Sequence, residues 1–210
     1  MRVNHVRRRL AAGEPSIGTW LDLPSPEAAE FVGELPLDWL VVDTEHSPID
    51  INTLSRMFMG MRTSGVAPMV RIPWNSPENV KRVLDAGAWG IVFPMVNTRE
   101  EAERAVNAAR YHPLGNRSVG GGRHGMSFAT AVKDYYEGAN DEVLVVLQIE
   151  HIDGVHAMEE ICAVPGVDAV FIGPYDLSGS MNLMGQTRHP DVQRAVGHVL
   201  EVARAHSVAP

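Results

Sequence analysis

Short runs of apolar residues, each long enough for one strand and each followed by a helix-starting signal, recur along this 210-residue chain. Trp39-Leu40-Val41-Val42-Asp43 has no polar residue until its last position, and Gly90-Ile91-Val92-Phe93-Pro94 has none at all. A strand with one face in water alternates polar and apolar residues, so runs like these imply burial on both faces. Strands alternating with helices and covered on both faces define a parallel α/β fold. The predicted strands are 16–21, 39–43, 68–72, 90–94, a short glycine-rich fifth at 117–122, 143–149 and 169–172. The helices between them carry their own punctuation. Ser25-Pro26-Glu27 and Ser76-Pro77-Glu78 place a serine N-cap before a proline whose missing N–H costs nothing at the first helical position. Thr98 and Glu101 are spaced as a capping box, and further helices are expected near 50–62, 130–139 and 190–206.

Seven such strands fall one short of a closed barrel. A doubly wound open sheet is the alternative, although no G-x-G-x-x-G follows the first strand. No composition shift or linker divides the chain, so residues 1–210 form one domain. Arg7-Arg8-Arg9 is followed by too short an apolar stretch for a secretory signal and reads as a short surface helix. No run reaches transmembrane length, and the expectation is a cytoplasmic protein with no membrane contact. The formal charge of −8 disfavours nucleic acid as a partner, because phosphate neutralisation needs surplus Lys and Arg. The single cysteine, Cys162, sits in an apolar setting and forms no internal disulfide.

Polar residues are concentrated where the strands end. Asp43-Thr44-Glu45-His46 closes the second strand, Arg71 the third, Gln148 and Glu150 the one at 143–149, and Asp176 follows the last. The period of two puts Gln148 and Glu150 on one side of the sheet. Acids brought to one end of neighbouring strands repel each other unless something lies between them, and a divalent cation is the simplest candidate.

The residues Gly18-Thr19-Trp20-Leu21, Asp43-Thr44-Glu45-His46, Val70-Arg71, Val92-Phe93-Pro94-Met95-Val96, Gln148-Ile149-Glu150 and Phe171-Ile172-Gly173-Pro174-Tyr175-Asp176-Leu177-Ser178 together resemble the HpcH/HpaI aldolase family. These are metal-dependent, class II pyruvate aldolases, and the resemblance runs from about residue 18 to 195. It implies a TIM-type (β/α)8 barrel, with an eighth strand and final helix expected beyond Pro210. It implies reversible cleavage of 4-hydroxy-2-oxoacids to pyruvate and an aldehyde, in a homo-oligomer. Carried over to this sequence, Glu150 and Asp176 would hold Mg2+, Mn2+ or Co2+. Arg71 would bind the 2-oxo oxygen, and His46, oriented by Asp43, would be the base. Gln148, Gly173, Tyr175, Asp176 and Trp20 would line the pyruvate pocket.

The chemistry suits those residue types. Breaking the C3–C4 bond leaves an enolate, whose oxygen a guanidinium and a hard cation stabilise electrostatically. Histidine titrates near neutrality, as a base for the 4-hydroxyl must. A Schiff-base route would need a strand-end lysine, whereas Lys81 and Lys133 both fall on predicted outer helices. Arg117, Gly120 to Gly122, Arg123 and His124 form a basic loop, either a binder of the distal end of a substrate or a solvated connection. Decarboxylation of oxaloacetate-like acids passes through the same enolate and is the neighbouring alternative; a non-catalytic oxoacid-binding barrel is the more distant one.

Overall fold

The computed structural model describes residues Met1–Pro210. In chain order the elements are α1 (His5–Ala11), β1 (Gly18–Leu21), α2 (Pro26–Gly33), β2 (Trp39–Asp43), α3 (Ile51–Gly60), β3 (Ala67–Arg71), α4 (Pro77–Ala86), β4 (Gly90–Phe93), α5 (Arg99–Ala109), α6 (Arg123–Ser127), α7 (Val132–Glu142), β5 (Leu144–Ile149), α8 (Ile152–His156), α9 (Met158–Cys162), β6 (Ala169–Ile172), α10 (Pro174–Ser180) and α11 (Pro190–Ala205). All six strands pair in parallel, in the order of the chain, and the sheet curls into a half-barrel of the TIM type. Strand order never reverses, which rules out the doubly wound alternative. At its last residues the chain adds one more parallel rung, Ala169 facing Ala209.

One expected strand does not form. Residues 117–122 have no place in the sheet, because β4 pairs directly with β5. The Arg117 N–H is given to the carbonyl of Arg110, back on the preceding segment, instead of to a strand. The capping signals hold: Ser25, Ser76 and Thr98 each accept the N–H three residues on. The Glu101 side chain reaches back to the N–H of Asn97, one residue earlier than the capping-box pattern places it.

Side-chain parity divides the core. Leu40, Val42, Val70, Phe93, Val145, Leu147 and Ile149 face the helices. Val41, Met69, Val92, Leu144, Val146 and Ala169 face the lumen, where an apolar cavity of about 230 Å³ lies between Trp20, Trp39 and Phe171. The expected surface helix is α1, and it does more than cover surface. It closes the amino-terminal end of the lumen with Val6, which is buried. Arg7 pairs with Asp168 at 2.8 Å, and Asp168 also receives Arg110 and the N–H of Val145. Asn4, fully buried, donates its amide to the carbonyls of Trp89 and Glu142 while its oxygen caps α1.

Replacing Asn4 with alanine should remove the cap and strand two buried carbonyls, costing about 2 kcal/mol or more. Urea unfolding against an exposed control, Lys133→Ala, which should change stability by less than about 0.5 kcal/mol, checks this.

Candidate active site

The parity that fills the lumen also selects the residues at its carboxyl end. On β2, Trp39 and Val41 point inward, so Asp43 does too; on β3, Ala67 and Met69 carry the same parity to Arg71. Asp43 and Arg71 are register partners across adjacent strands. Their side chains lock as a fork, with Arg71 Nε 2.9 Å from Asp43 Oδ1 and Nη2 2.5 Å from Oδ2. The Trp20 ring covers the guanidinium at 4.7 Å, and Glu45 Oε2 lies 3.2 Å from Nε. Nη1 makes no hydrogen bond, which leaves it the free donor of a guanidinium fixed on its other sides. Burial pushes the Asp43 carboxyl up, but the hydrogen bonds and charge of Arg71 and the N–H groups of Glu45 and His46 outweigh it. The result is a carboxyl held below its usual range.

Glu150 follows β5 with the inward parity of Val146 and Gln148. It is buried, with Oε1 accepting the Met95 N–H at 2.8 Å and Oε2 accepting the Gln148 amide at 2.5 Å. Met95 adopts a left-handed backbone, φ 52°, unusual for a residue with a side chain and an instance of strain beside a site. Gly173, the inward position after β6, has no side chain for a physical reason. A Cβ there would lie 2.7 Å from Glu150 Oε2. Burial raises the Glu150 pKa, and the nearby Asp176 charge adds to it against the opposing Met95 and Gln148 hydrogen bonds. Asp176 itself is exposed, in the first turn of α10, next to the exposed Tyr175. The Gln148 side-chain oxygen, Oε1, is buried and has no donor.

His46 lies on the loop after β2 with an exposed ring. Asp43 does not touch that ring. Its Oδ1 accepts the backbone N–H groups of Glu45 and His46, at 3.0 and 3.4 Å, together with Arg71 Nε, and its Oδ2 accepts Arg71 Nη2. The carboxylate nearest the ring is Glu45, with Oε2 3.7 Å from Nε2. Glu45 and Met95, to which the sequence alone assigns no role, are brought to the site by the fold. Register pairing of Asp43 with Arg71 is the signal that would have freed the ring for another partner.

The basic loop is fastened elsewhere. Arg117 is buried, 3.0 Å from Asp85 and 2.9 Å from the Tyr135 hydroxyl, with its guanidinium 4.4 Å over Tyr111. His124 is fully buried, and burial followed by the Arg117 charge lowers its pKa. Arg123 donates to the carbonyls of Ala86 and Ser55. These contacts gather at the carboxyl end of α4 and the start of β4, away from the mouth that Asp43, Arg71 and Glu150 share. His151 caps α8 through Nδ1, and Lys133 pairs with Glu137 on the outer face of α7. No cluster of three or more His, Cys, Asp or Glu residues has metal-binding geometry.

A parallel barrel with a clamped arginine and a buried acid at its carboxyl end defines an enzyme site. Over residues 16–210 the chain matches the model of the HpcH/HpaI aldolase/citrate lyase family, and it belongs to that family. It is 41% identical over 203 residues to the 5-keto-4-deoxy-D-glucarate aldolase of Escherichia coli (strain SMS-3-5 / SECEC), covering 97% of this chain and 79% of the relative. A HpcH/HpaI aldolase/citrate lyase family protein from Burkholderia cenocepacia J2315 superposes with a TM-score of 0.90 at 36% identity, covering 98% and 82% of the two chains. The citrate synthase SbnG superposes with a TM-score of 0.86 at 33% identity, covering 97% and 79%. The protein is thus a carbon–carbon lyase of the aldolase type.

Because Asp43 is held below the ordinary carboxylate range, its contribution to stability is complete above the unfolded value of about 3.9. It disappears as the pH falls through the lower folded value. Asp43→Asn should therefore cost about 3 kcal/mol at pH 7, where it strips a partner from the largely buried Arg71. The gap to the parent should narrow toward pH 3, which urea titrations at the two pH values measure.

Proposed function

We propose that this protein is a divalent-metal-dependent aldolase that reversibly cleaves 4-hydroxy-2-oxoacids to pyruvate and an aldehyde. The observation that carries the reading is the arginine held by Asp43 and Trp20 with Nη1 free, at the same barrel end as the buried Glu150. The aldolase named among the relatives supports a sugar-acid-derived oxoacid as substrate.

The carboxylates and the Gln148 amide at this end offer oxygens, which suits a hard cation. Glu150 and Asp176 would hold Mg2+, Mn2+ or Co2+, and the unpartnered Gln148 oxygen leaves room for a donor such as water or a substrate hydroxyl. When bound, the cation supplies positive charge opposite the developing enolate oxygen. Arg71 offers Nη1 to that same oxygen without having to reorganise, since Asp43 fixes its plane. His46 takes the proton of the 4-hydroxyl in cleavage and returns it in synthesis. The N–H groups of Tyr175 and Asp176, in the first turn of α10, suit the pyruvate carboxylate. Trp20 walls the pocket and shields the guanidinium from water.

No helix is long and apolar enough to cross a membrane. We place the enzyme in the cytoplasm as a homo-oligomer. The single buried cysteine supports the first, and exposed Phe31, Trp74 and Val119 the second.

Pyruvate release from a 4-hydroxy-2-oxoacid with added Mn2+ or Mg2+ tests the reading; affinity without release would sink it. Glu150→Ala and Asp176→Ala should each lose at least about 10²-fold in kcat/KM and most of the metal-induced rise in Tm. Normal turnover of either variant in chelator-treated buffer would overturn the ligand assignment. Gly173→Ala should displace Glu150 and cost on the order of 10²-fold in kcat while the protein remains folded.

A further inference from the structure

Glu45 has no place in the chemistry above, yet it lies beside both Arg71 and His46. Its side chain is only 16% exposed. Oε2 lies 3.2 Å from Arg71 Nε and 3.7 Å from His46 Nε2, and no donor meets it in hydrogen-bonding geometry. A buried carboxylate oxygen without a hydrogen bond is costly, so some neighbouring donor belongs to it. Arg71 Nε, though 3.2 Å away, and Nη2 are hydrogen-bonded to Asp43, and Nη1 makes no bond to Glu45 and is the donor assigned above to substrate. That leaves His46. Its ring is 65% exposed and unbonded, and a shift of roughly 0.5 Å brings Nε2 from 3.7 Å to within hydrogen-bond range.

Asp43 lies out of reach of the ring: of the two acids, only Glu45 comes within ion-pairing distance of an imidazole nitrogen, at 3.7 Å. Asp43 Oδ1 accepts Arg71 Nε and two backbone N–H groups, and Oδ2 accepts Arg71 Nη2. The two acids of the Asp43-Thr44-Glu45-His46 run are therefore divided between the site's two working groups.

We propose that Glu45 is the positioning residue of the His46 imidazole. It holds the proton on Nε2 and leaves Nδ1 as the lone pair that faces substrate, while Asp43 serves Arg71 and the loop backbone. This rests on the reading of His46 as the base. A histidine whose partner carboxylate is lost populates the other tautomer, which presents a proton where a base is needed.

The test is long-range 1H–15N NMR of the imidazoles in 15N-labelled protein without substrate, for the parent, Glu45→Ala, Glu45→Gln and Asp43→Asn. His46 is assigned by its loss in His46→Ala, and His151, fixed by its own cap on α8, is the internal reference. The parent should show His46 protonated on Nε2 alone, and Glu45→Ala should bring in a measurable Nδ1-protonated fraction, the mixture of a free imidazole. Asp43→Asn should leave the tautomer unchanged. In turnover with Mn2+, Glu45→Ala should lower kcat about 10- to 100-fold with KM within about twofold, and Glu45→Gln, which keeps an acceptor oxygen, should recover most of it. Asp43→Asn should instead raise KM for the oxoacid. An unchanged His46 tautomer in Glu45→Ala overturns the proposal. So does a tautomer shift in Asp43→Asn, which decides the matter alone if Glu45→Ala does not fold. Parent-like turnover by His46→Ala would remove the base role without touching the tautomer result, so the two failures are distinguishable.

Discussion

The whole molecule depends on a parallel sheet having to bury both of its faces. Each strand is in contact with helices on one side and with the other strands' side chains in the lumen on the other. That requirement makes the strands apolar throughout, and it fixes which residues at their ends point inward. Trp20, Asp43, Arg71, Gln148, Glu150 and Gly173 share the parity of the apolar lumen layer beneath them. A one-residue slip in any strand would turn its site residue outward to the helices. Core packing and site assembly are the same constraint seen at two heights in the barrel.

Polar groups buried at that upper layer must then satisfy one another. Arg71 is the one guanidinium there, and it faces Asp43, Glu45 and the charge of Glu150. Asp43 neutralises it directly and is pulled down in pKa; Glu45 and Glu150 are left with burial as the dominant influence and are pushed up. The excess of negative charge is an electrostatic debt the protein alone does not settle. It sits at the end of an apolar lumen, where charges are weakly screened, and this is the electrostatic ground for the proposed cation. Two of the acids are held by backbone N–H groups, Asp43 by Glu45 and His46 on its own loop and Glu150 by Met95 on the loop after β4.

Much of this was legible in the sequence because strand parity and helix caps are local. Ser25, Ser76 and Thr98 announce helices through short-range bonds, and Gln148 and Glu150 share a side by counting. The fifth predicted strand failed because β propensity carries no information about whether a neighbour is free to pair, and β4 was already taken by β5. The basic loop was ambiguous for a similar reason. Only the tertiary structure brings Asp85 and Tyr135 to Arg117 and turns a solvent-like stretch into a buried clamp. The partner of the His46 ring was hidden because Asp43 and Glu45 are both close to it in sequence. The choice between them is made by Arg71, a residue on another strand.

The helix at the start of the chain docks against parts made very late. Asn4 is bonded to Glu142 and Arg7 to Asp168, sequence separations of 138 and 161 residues. As the polypeptide emerges from the ribosome, α1 has nowhere to settle until β5 and the turn before β6 have appeared. Val6 and Leu10, destined for the lumen floor, stay uncovered throughout that interval, together with the apolar strand edges above them. Closing so long a loop is entropically slow, so the nascent chain passes through a lengthy aggregation-exposed stage in which chaperones have the most to hold.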